Sequence, residues 1–456
     1  MYGIVVLLMY AVIMITATLL FTKKETTAEG FLAGHHNLKM IMMALSIAAT
    51  WIWAPALFVS AEKAYTNGIP GLFWFLVPNV ACLFLFIPFA QRIRSEMPNG
   101  ITLSGYMSQK YRSDKVKGIY LFQLGALALL STSVQLLAGG KILSVITGLP
   151  LFPITIALAV VGFSYSQFSG IKASVVTDSI QMVFMLVASL IFVLWGTKAT
   201  GGYTNIVQGL SGFTGQYGSL FNAKAFDVFL GFGLPTTIGL LSGPFGDQCF
   251  WQRAFSVEKR SISKAFGLGA LLFAVVPLSM GVIGYLAAGS GLKVVDTSMV
   301  NLMFIQKIFP SWVIGPFLFM ILCGLISTVD SNLCAIASLT SDVQKKYNNN
   351  VSKLAMILML IAAICIANIP GLTVVHLFLM YGTFRASTML PTIMTLKGFN
   401  LTGNGVFYGI VFALLIGLPI FAYGNLFNIS VYKTIGSLLT VGISGIFTFL
   451  FSKWRA

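Results

Sequence analysis

Thirteen apolar runs, most of them about 20 residues long, alternate with short polar connections along the whole chain. Few folds accept that layout. A helix of about 20 residues crosses the ~30 Å hydrocarbon core of a bilayer. Backbone groups in hydrocarbon find no water, so only helices and closed barrels span it. The runs lie at about 2–22, 39–60, 71–91, 117–146, 150–168, 174–196, 226–250, 264–288, 312–341, 352–368, 371–394, 403–423 and 431–451. Segments 117–146 and 312–341 are long enough to tilt. The expected class is an all-α integral membrane protein with about thirteen transmembrane helices.

Composition agrees. The chain is 57% hydrophobic and only 9% charged, with a mean hydropathy of +0.90. That leaves too little polar surface for a water-facing exterior. The net charge of +16 does not mark a nucleic-acid binder, because the basic residues form no single patch. They fall in alternate loops: Lys23/Lys24/Lys39, Arg92/Arg94/Lys110/Arg112/Lys115/Lys117, Lys172, Arg253/Lys259/Arg260/Lys264, Lys345/Lys346/Lys353, Lys397 and Lys453/Arg455. The intervening loops hold scattered lysines: Lys63, Lys141, Lys198, Lys224, Lys293, Lys307 and Lys433. By the positive-inside rule the N-terminus lies outside and the C-terminus in the cytoplasm. The first run lacks a preceding basic region and a small-residue cleavage site, so it reads as a retained span rather than a signal peptide.

The five cysteines (Cys82, Cys249, Cys323, Cys334 and Cys365) lie in or beside apolar runs and read as small buried hydrophobes. No CxxC and no histidine cluster has metal spacing. His35 and His36 fall in a loop and His376 stands alone. Glu62 and Lys63 read as outer-interface residues, and Arg385 as snorkelling or paired inside the bundle.

Two runs are interrupted in matching places. The second contains Thr50-Trp51-Ile52-Trp53-Ala54-Pro55, with a proline that removes a backbone donor. The seventh contains Pro235, then Gly243-Pro244 and Gly246 before Asp247. They are five spans apart, so each opens a five-span unit, about 39–196 and 226–394. Because five is odd, the second unit is inverted relative to the first. Residues 1–38 precede the units, 197–225 form a polar loop between them, and 395–456 supply two further helices. In membrane carriers such breaks free carbonyls for a cation and aim half-helix ends at a solute. In the ninth run Gly324, Ser327, Thr328 and Ser331 share one helical face, flanked by Asp330. Hydroxyls and carbonyls are hard donors suited to a small alkali cation. The same face also suits helix packing.

At these residues the chain resembles the sodium/solute symporter family. The likeness runs over about 26–400 and includes EGFLAGHHNL, Tyr65-Thr66-Asn67-Gly68, GIKASVVTDSIQ, Trp251-Gln252-Arg253 and ISTVDS, in order. The resemblance implies a LeuT-like five-plus-five inverted repeat, with one helix before the core and two after it. It implies sodium as the coupling ion, held by the carbonyls of Ala49, Ile52 and Gly324 and the hydroxyls of Ser327 and Thr328. Some members hold a second cation; here Asp178 stands at the aspartate's place, Ser327 and Ser331 offer hydroxyls, and Asp330 replaces a serine. TWIWAPALFVSAEKAYTNGIPGLFWF and GDQCFWQRAFS look most like the urea and polyamine branch. The expected solute contacts are Thr50, Trp51, Trp53, Gln135, Asp247 and Trp251. An intramembrane carboxylate such as Asp247 marks function, although it also suits capping of half-helix N–H groups. Tryptophans can wall a flat or cationic ligand, or simply pack.

The function these features imply is sodium-coupled import of a small polar solute by alternating access, urea or a small amine first. Another small metabolite, or coupling to protons, is the alternative. A channel needs a pore ring or filter loop, and none is apparent. An enzyme needs a nucleophile–base pair or metal ligands, and the few acidic and histidine residues assemble neither. No stretch reads as a soluble signalling domain, and nothing calls for an obligatory protein partner.

Overall fold

The computed structural model describes residues 2–344 and 346–453, so Lys345 and Arg455 of the basic clusters lie outside the described residues. Eleven helices among them are long and apolar enough to cross a membrane. One, Ala54–Glu96, is two spans, because Gly68 adopts φ 53° and ψ −140° and interrupts it. With Met40–Trp51 as the first half of a broken helix and Val374–Leu396 as a further one, the spans number thirteen.

Numbered in chain order, span 1 is Tyr2–Phe21. Span 2 comprises Met40–Trp51 and residues 54–67, and span 3 residues 69–96. Spans 4, 5 and 6 are Asp114–Thr147, Leu151–Ser169 and Ile171–Ala199. Span 7 runs from Ala223 to Leu241, continues as Gly243–Gly246, and resumes as Gln248–Ser256. Spans 8 to 13 are Ile262–Gly289, Ile314–Thr340, Asn349–Ala367, Val374–Leu396, Gly403–Leu426 and Ser430–Lys453.

Polar side chains start the helices where the apolar runs begin. Ser113, Asn348, Thr373 and Thr402 each accept a hydrogen bond from an N–H of the first turn. The turn at Gly68 packs so closely under the loop after span 6 that an added Cβ there would lie 2.4 Å from the Leu210 carbonyl. That loop contains the helix Tyr203–Gly209.

Span 9 is the axis of the bundle: from Phe317 to Thr340 every residue but Ile336 is buried, whereas most of spans 1 and 13 is not. It packs on spans 1, 2, 4, 5, 6 and 10 and on the second half of span 7. Large apolar side chains such as Leu8, Val12, Leu194 and Leu415 point outward, where lipid is their solvent.

The basic loops lie together on one face. Leu38 exchanges backbone hydrogen bonds with Ser256 and Glu258, Thr102 donates to Asp342, Tyr111 bonds Thr395, and Lys172 pairs with Glu25. One member of the expected set departs from it. Arg253 is not a loop charge: it is fully buried and paired with Asp178. Cys365 is likewise exposed at the bundle surface rather than buried.

Candidate functional site

Span 2 breaks at Ile52 and Trp53, where the backbone leaves the helical region. Pro55 opens the second half near its N-terminus, where a missing N–H costs nothing. The first half keeps its last turn, since Ile52 N–H donates to the Ala48 and Ala49 carbonyls. The second half is capped from outside. Gln135 of span 4 accepts the Ala54 N–H at 2.7 Å and is itself held by the Ser131 carbonyl.

Span 9 presents its hydroxyl face to this break. The Ser327 hydroxyl donates to the Ala49 carbonyl at 2.9 Å, and the Thr328 hydroxyl to the Thr50 carbonyl at 3.2 Å. Both also reach the Gly324 carbonyl at 3.2 Å. Gly324 stands opposite Ile52: a Cβ there would lie 3.1 Å from the Ile52 carbonyl oxygen. All five expected ion ligands therefore meet in one buried place. Every donor in the set is an uncharged oxygen.

Next to this set lies a buried charged cluster. Asp178 receives Ser46 at 2.6 Å and the Arg253 guanidinium at 2.9 Å. Arg253 also donates to Ser331 at 2.8 Å, and Ser331 shares a hydrogen bond with the Thr50 hydroxyl at 2.9 Å. Asp330 accepts from Ser174 at 2.8 Å. The residues expected around a second cation are thus together, and a guanidinium already sits among them.

Span 7 loosens at a π-helical turn, Phe229–Gly233, just before Pro235, and breaks at Asp247, which is extended (φ −105°, ψ 117°). Asp247 is not free. Tyr381 of span 11 donates to its two carboxylate oxygens at 2.6 Å, and Arg385 approaches at 3.2 Å. Arg385 is fully buried and also donates to the Gly239 carbonyl at 2.6 Å, across the break.

A small cavity lies between the two breaks. Thr50, Trp51, Trp53 and Asp247, all expected there, line it together with Ser131, Cys249, Phe250, Thr328, Asn332 and Tyr381. Two of its N–H groups, Trp53 Nε1 and Asn332 Nδ2, are buried without a hydrogen-bond partner. Its water-accessible space is about 10 Å³, room for about one water. Gln135 and Trp251 do not line it. Gln135 is consumed in capping span 2. Trp251 bonds the Phe245 carbonyl at 2.9 Å and packs on Phe86.

A second, separate cavity of about 230 Å³, the vestibule, lies toward the face opposite the basic loops. Three helices run from one to the other. Trp53, Ser131 and Tyr381 line the cavity, whereas Glu62, Lys141 and Val374 line the vestibule. Between the levels Trp53 packs on Phe378, with ring centroids 5.3 Å apart. Toward the basic face, Gln248 closes the way by bonding the Leu103 N–H, the Ile101 carbonyl and Ser338. Among the described residues no three His, Cys, Asp or Glu side chains gather as a metal site.

The sequence profile described as the sodium:solute symporter family matches residues 31–411. The chain is 26% identical over 279 residues to the probable urea active transporter 1 of Schizosaccharomyces pombe, covering 59% of this chain and 42% of that protein. It is 20% identical over 446 residues to the urea-proton symporter DUR3 of Oryza sativa subsp. japonica, covering 88% of this chain and 61% of that one. The chain therefore spans less than two thirds of each of these relatives. A Na+-coupled sialic acid symporter, solved in a substrate-bound outward-open state, superposes with a TM-score of 0.78 at 17% identity, over 99% of this chain and 98% of that one. That likeness shows the fold, the LeuT-like five-plus-five inverted repeat. With a family match across 31–411 and the fold to go with it, the chain belongs to the sodium:solute symporter family.

Proposed function

We propose that this chain is a sodium-coupled symporter that imports a small polar solute by alternating access, with urea or a small amine as the favoured class. One observation carries the coupling: Ser327 and Thr328 of span 9 meet the Ala49 and Thr50 carbonyls at the end of the first half of span 2 in a buried set of neutral oxygens. Sodium bound there links the first half of span 2 to span 9. The link stabilises the arrangement in which the cavity is formed, so ion and solute each raise the other's affinity. The vestibule face is the outside and the basic face the cytoplasm of a cell membrane. Residues 39–196 and 226–394 are the inverted units that rock against each other. The names of the urea-transporting relatives support the solute class.

A proton-coupled version has a specific observation behind it. Asp178 and Asp330 share one network with a single guanidinium, Arg253. A buried carboxylate without a counter-charge is costly, and a proton removes that cost. Uptake of labelled urea into proteoliposomes separates the readings. An inward sodium gradient at equal pH drives uptake if sodium is the coupling ion. If only an inward proton gradient drives it, the sodium reading fails. If urea enters under neither while another small metabolite does under sodium, the solute class fails and the coupling stands.

A further inference from the structure

The break in span 7 already contains a cation. Arg385 reaches it from span 11, and its guanidinium carbon lies 4.5 Å from the Tyr381 ring centroid, 5.3 Å from Trp51 and 5.9 Å from Trp53. Those are aromatic faces on which a cationic solute would otherwise rest. The carboxylate it would seek, Asp247, is paired with the same guanidinium.

The backbone is shaped around this arginine. A Cβ on Gly246 would lie 2.4 Å from Arg385 Cβ, and one on Gly243 would lie 3.3 Å from Arg385 Cζ and 2.3 Å from Trp51. The two glycines leave the room that the side chain and its tryptophan neighbour fill. An arginine accommodated in this way is part of the break.

We propose that Arg385 is the resident counter-ion of Asp247 and makes the cavity select neutral amides of the urea class over cations of the same shape. This rests on the reading of the cavity as the solute site. The ion pair presents no net charge, so a cationic solute gains no attraction and meets a guanidinium. A neutral planar amide finds what it needs. Trp53 Nε1 and Asn332 Nδ2 are donors without partners, suited to a carbonyl oxygen. The Asp247 carboxylate keeps lone pairs for N–H groups. An apolar ligand, or one lacking the carbonyl, leaves those two donors buried and unpaired.

Urea and guanidinium are the matched probes, being planar, of nearly one size, and different in charge. Their binding is read as equilibrium binding of the isotope-labelled compounds to the purified protein in sodium, at low probe concentration and constant ionic strength. The wild type is expected to bind urea at least about tenfold more tightly than guanidinium. Arg385→Gln uncovers Asp247 and reverses the order, while Arg385→Lys keeps the charge and the urea preference. If Arg385→Gln folds poorly, Asp247→Asn/Arg385→Gln supplies the test: with both charges gone it returns to preferring urea. A wild type that binds guanidinium as tightly as urea overturns the proposal, as does an Arg385→Gln protein whose preference is unchanged. If sodium protects these proteins against thermal unfolding but neither labelled probe binds, the cavity is not a urea site and the selectivity falls with it. Failure of sodium itself to protect counts against the coupling ion instead.

Discussion

The two broken helices solve the same problem in opposite ways. Where span 2 parts, the carbonyls of Ala49 and Thr50 accept from the uncharged hydroxyls of Ser327 and Thr328. Where span 7 parts, Asp247 meets an arginine of the same chain. The oxygen set at the first break is itself uncharged. The second break brings its own positive charge. On the proposed reading, a gap of the first kind would be completed by a cation from solution, and a gap of the second kind, complete already, would read the shape and hydrogen bonding of a neutral ligand.

Removing the built-in charge should have the largest effect. Arg385→Gln leaves Asp247 buried without its partner and is expected to cost about 3–5 kcal/mol in stability, with or without sodium. Asp247→Asn/Arg385→Gln should recover much of that loss, and denaturation in detergent compares the three proteins. A negligible loss would mean that the second break is not held by its ion pair.

The capping of span 2 comes next. Gln135→Leu removes the acceptor of the Ala54 N–H and should cost about 1–3 kcal/mol. Amide exchange checks it, because the protons of the second half of span 2 should exchange faster. In potassium, Ser327→Ala should cost only about 0.5–1.5 kcal/mol, the worth of an ordinary hydrogen bond, measured in the same unfolding assay. A loss as large as that of Arg385→Gln would make the two breaks alike.

The smallest effect concerns the far end of span 7, where His36 in the loop after span 1 bonds the Phe255 carbonyl at 2.7 Å. Burial lowers its pKa. The stability it adds is therefore whole above the unfolded value of about 6.5 and is lost as pH falls through the lowered folded value. Acidification from neutrality should destabilise the protein only slightly through this half-exposed group, and His36→Gln should flatten that part of the pH–melting curve.

Much of this was legible in the chain because its causes are local. Apolar run length sets the spans, Pro55 and the Gly243-Pro244-Gly246 stretch mark the breaks, and helical spacing puts Ser327, Thr328 and Ser331 on one face. The charged partners were harder to read, for a physical reason. Arg253 sits beside Lys259 and Arg260 in sequence, and nothing local distinguishes a loop arginine from one turned inward to Asp178. The pairing of Arg385 with Asp247 joins residues 138 positions apart, so only the packing of span 11 against span 7 reveals it. Gln135 and Trp251 have the chemistry of solute contacts, but their polar atoms satisfy backbone groups instead. Asn332 carried one available signal: a polar group one helical turn from Thr328, a residue already expected at the ion site.

The most direct test of the sodium claim is the melting temperature of the purified protein in sodium against matched potassium, for the wild type and for Ser327→Ala/Thr328→Ala. A ligand that binds only the folded state stabilises it by about 2.7 kcal/mol at a hundred times its Kd. The account predicts that sodium raises the melting temperature of the wild type and leaves the double variant unchanged. An equal rise in both proteins would place the ion elsewhere, and no rise in the wild type would contradict sodium binding at this break.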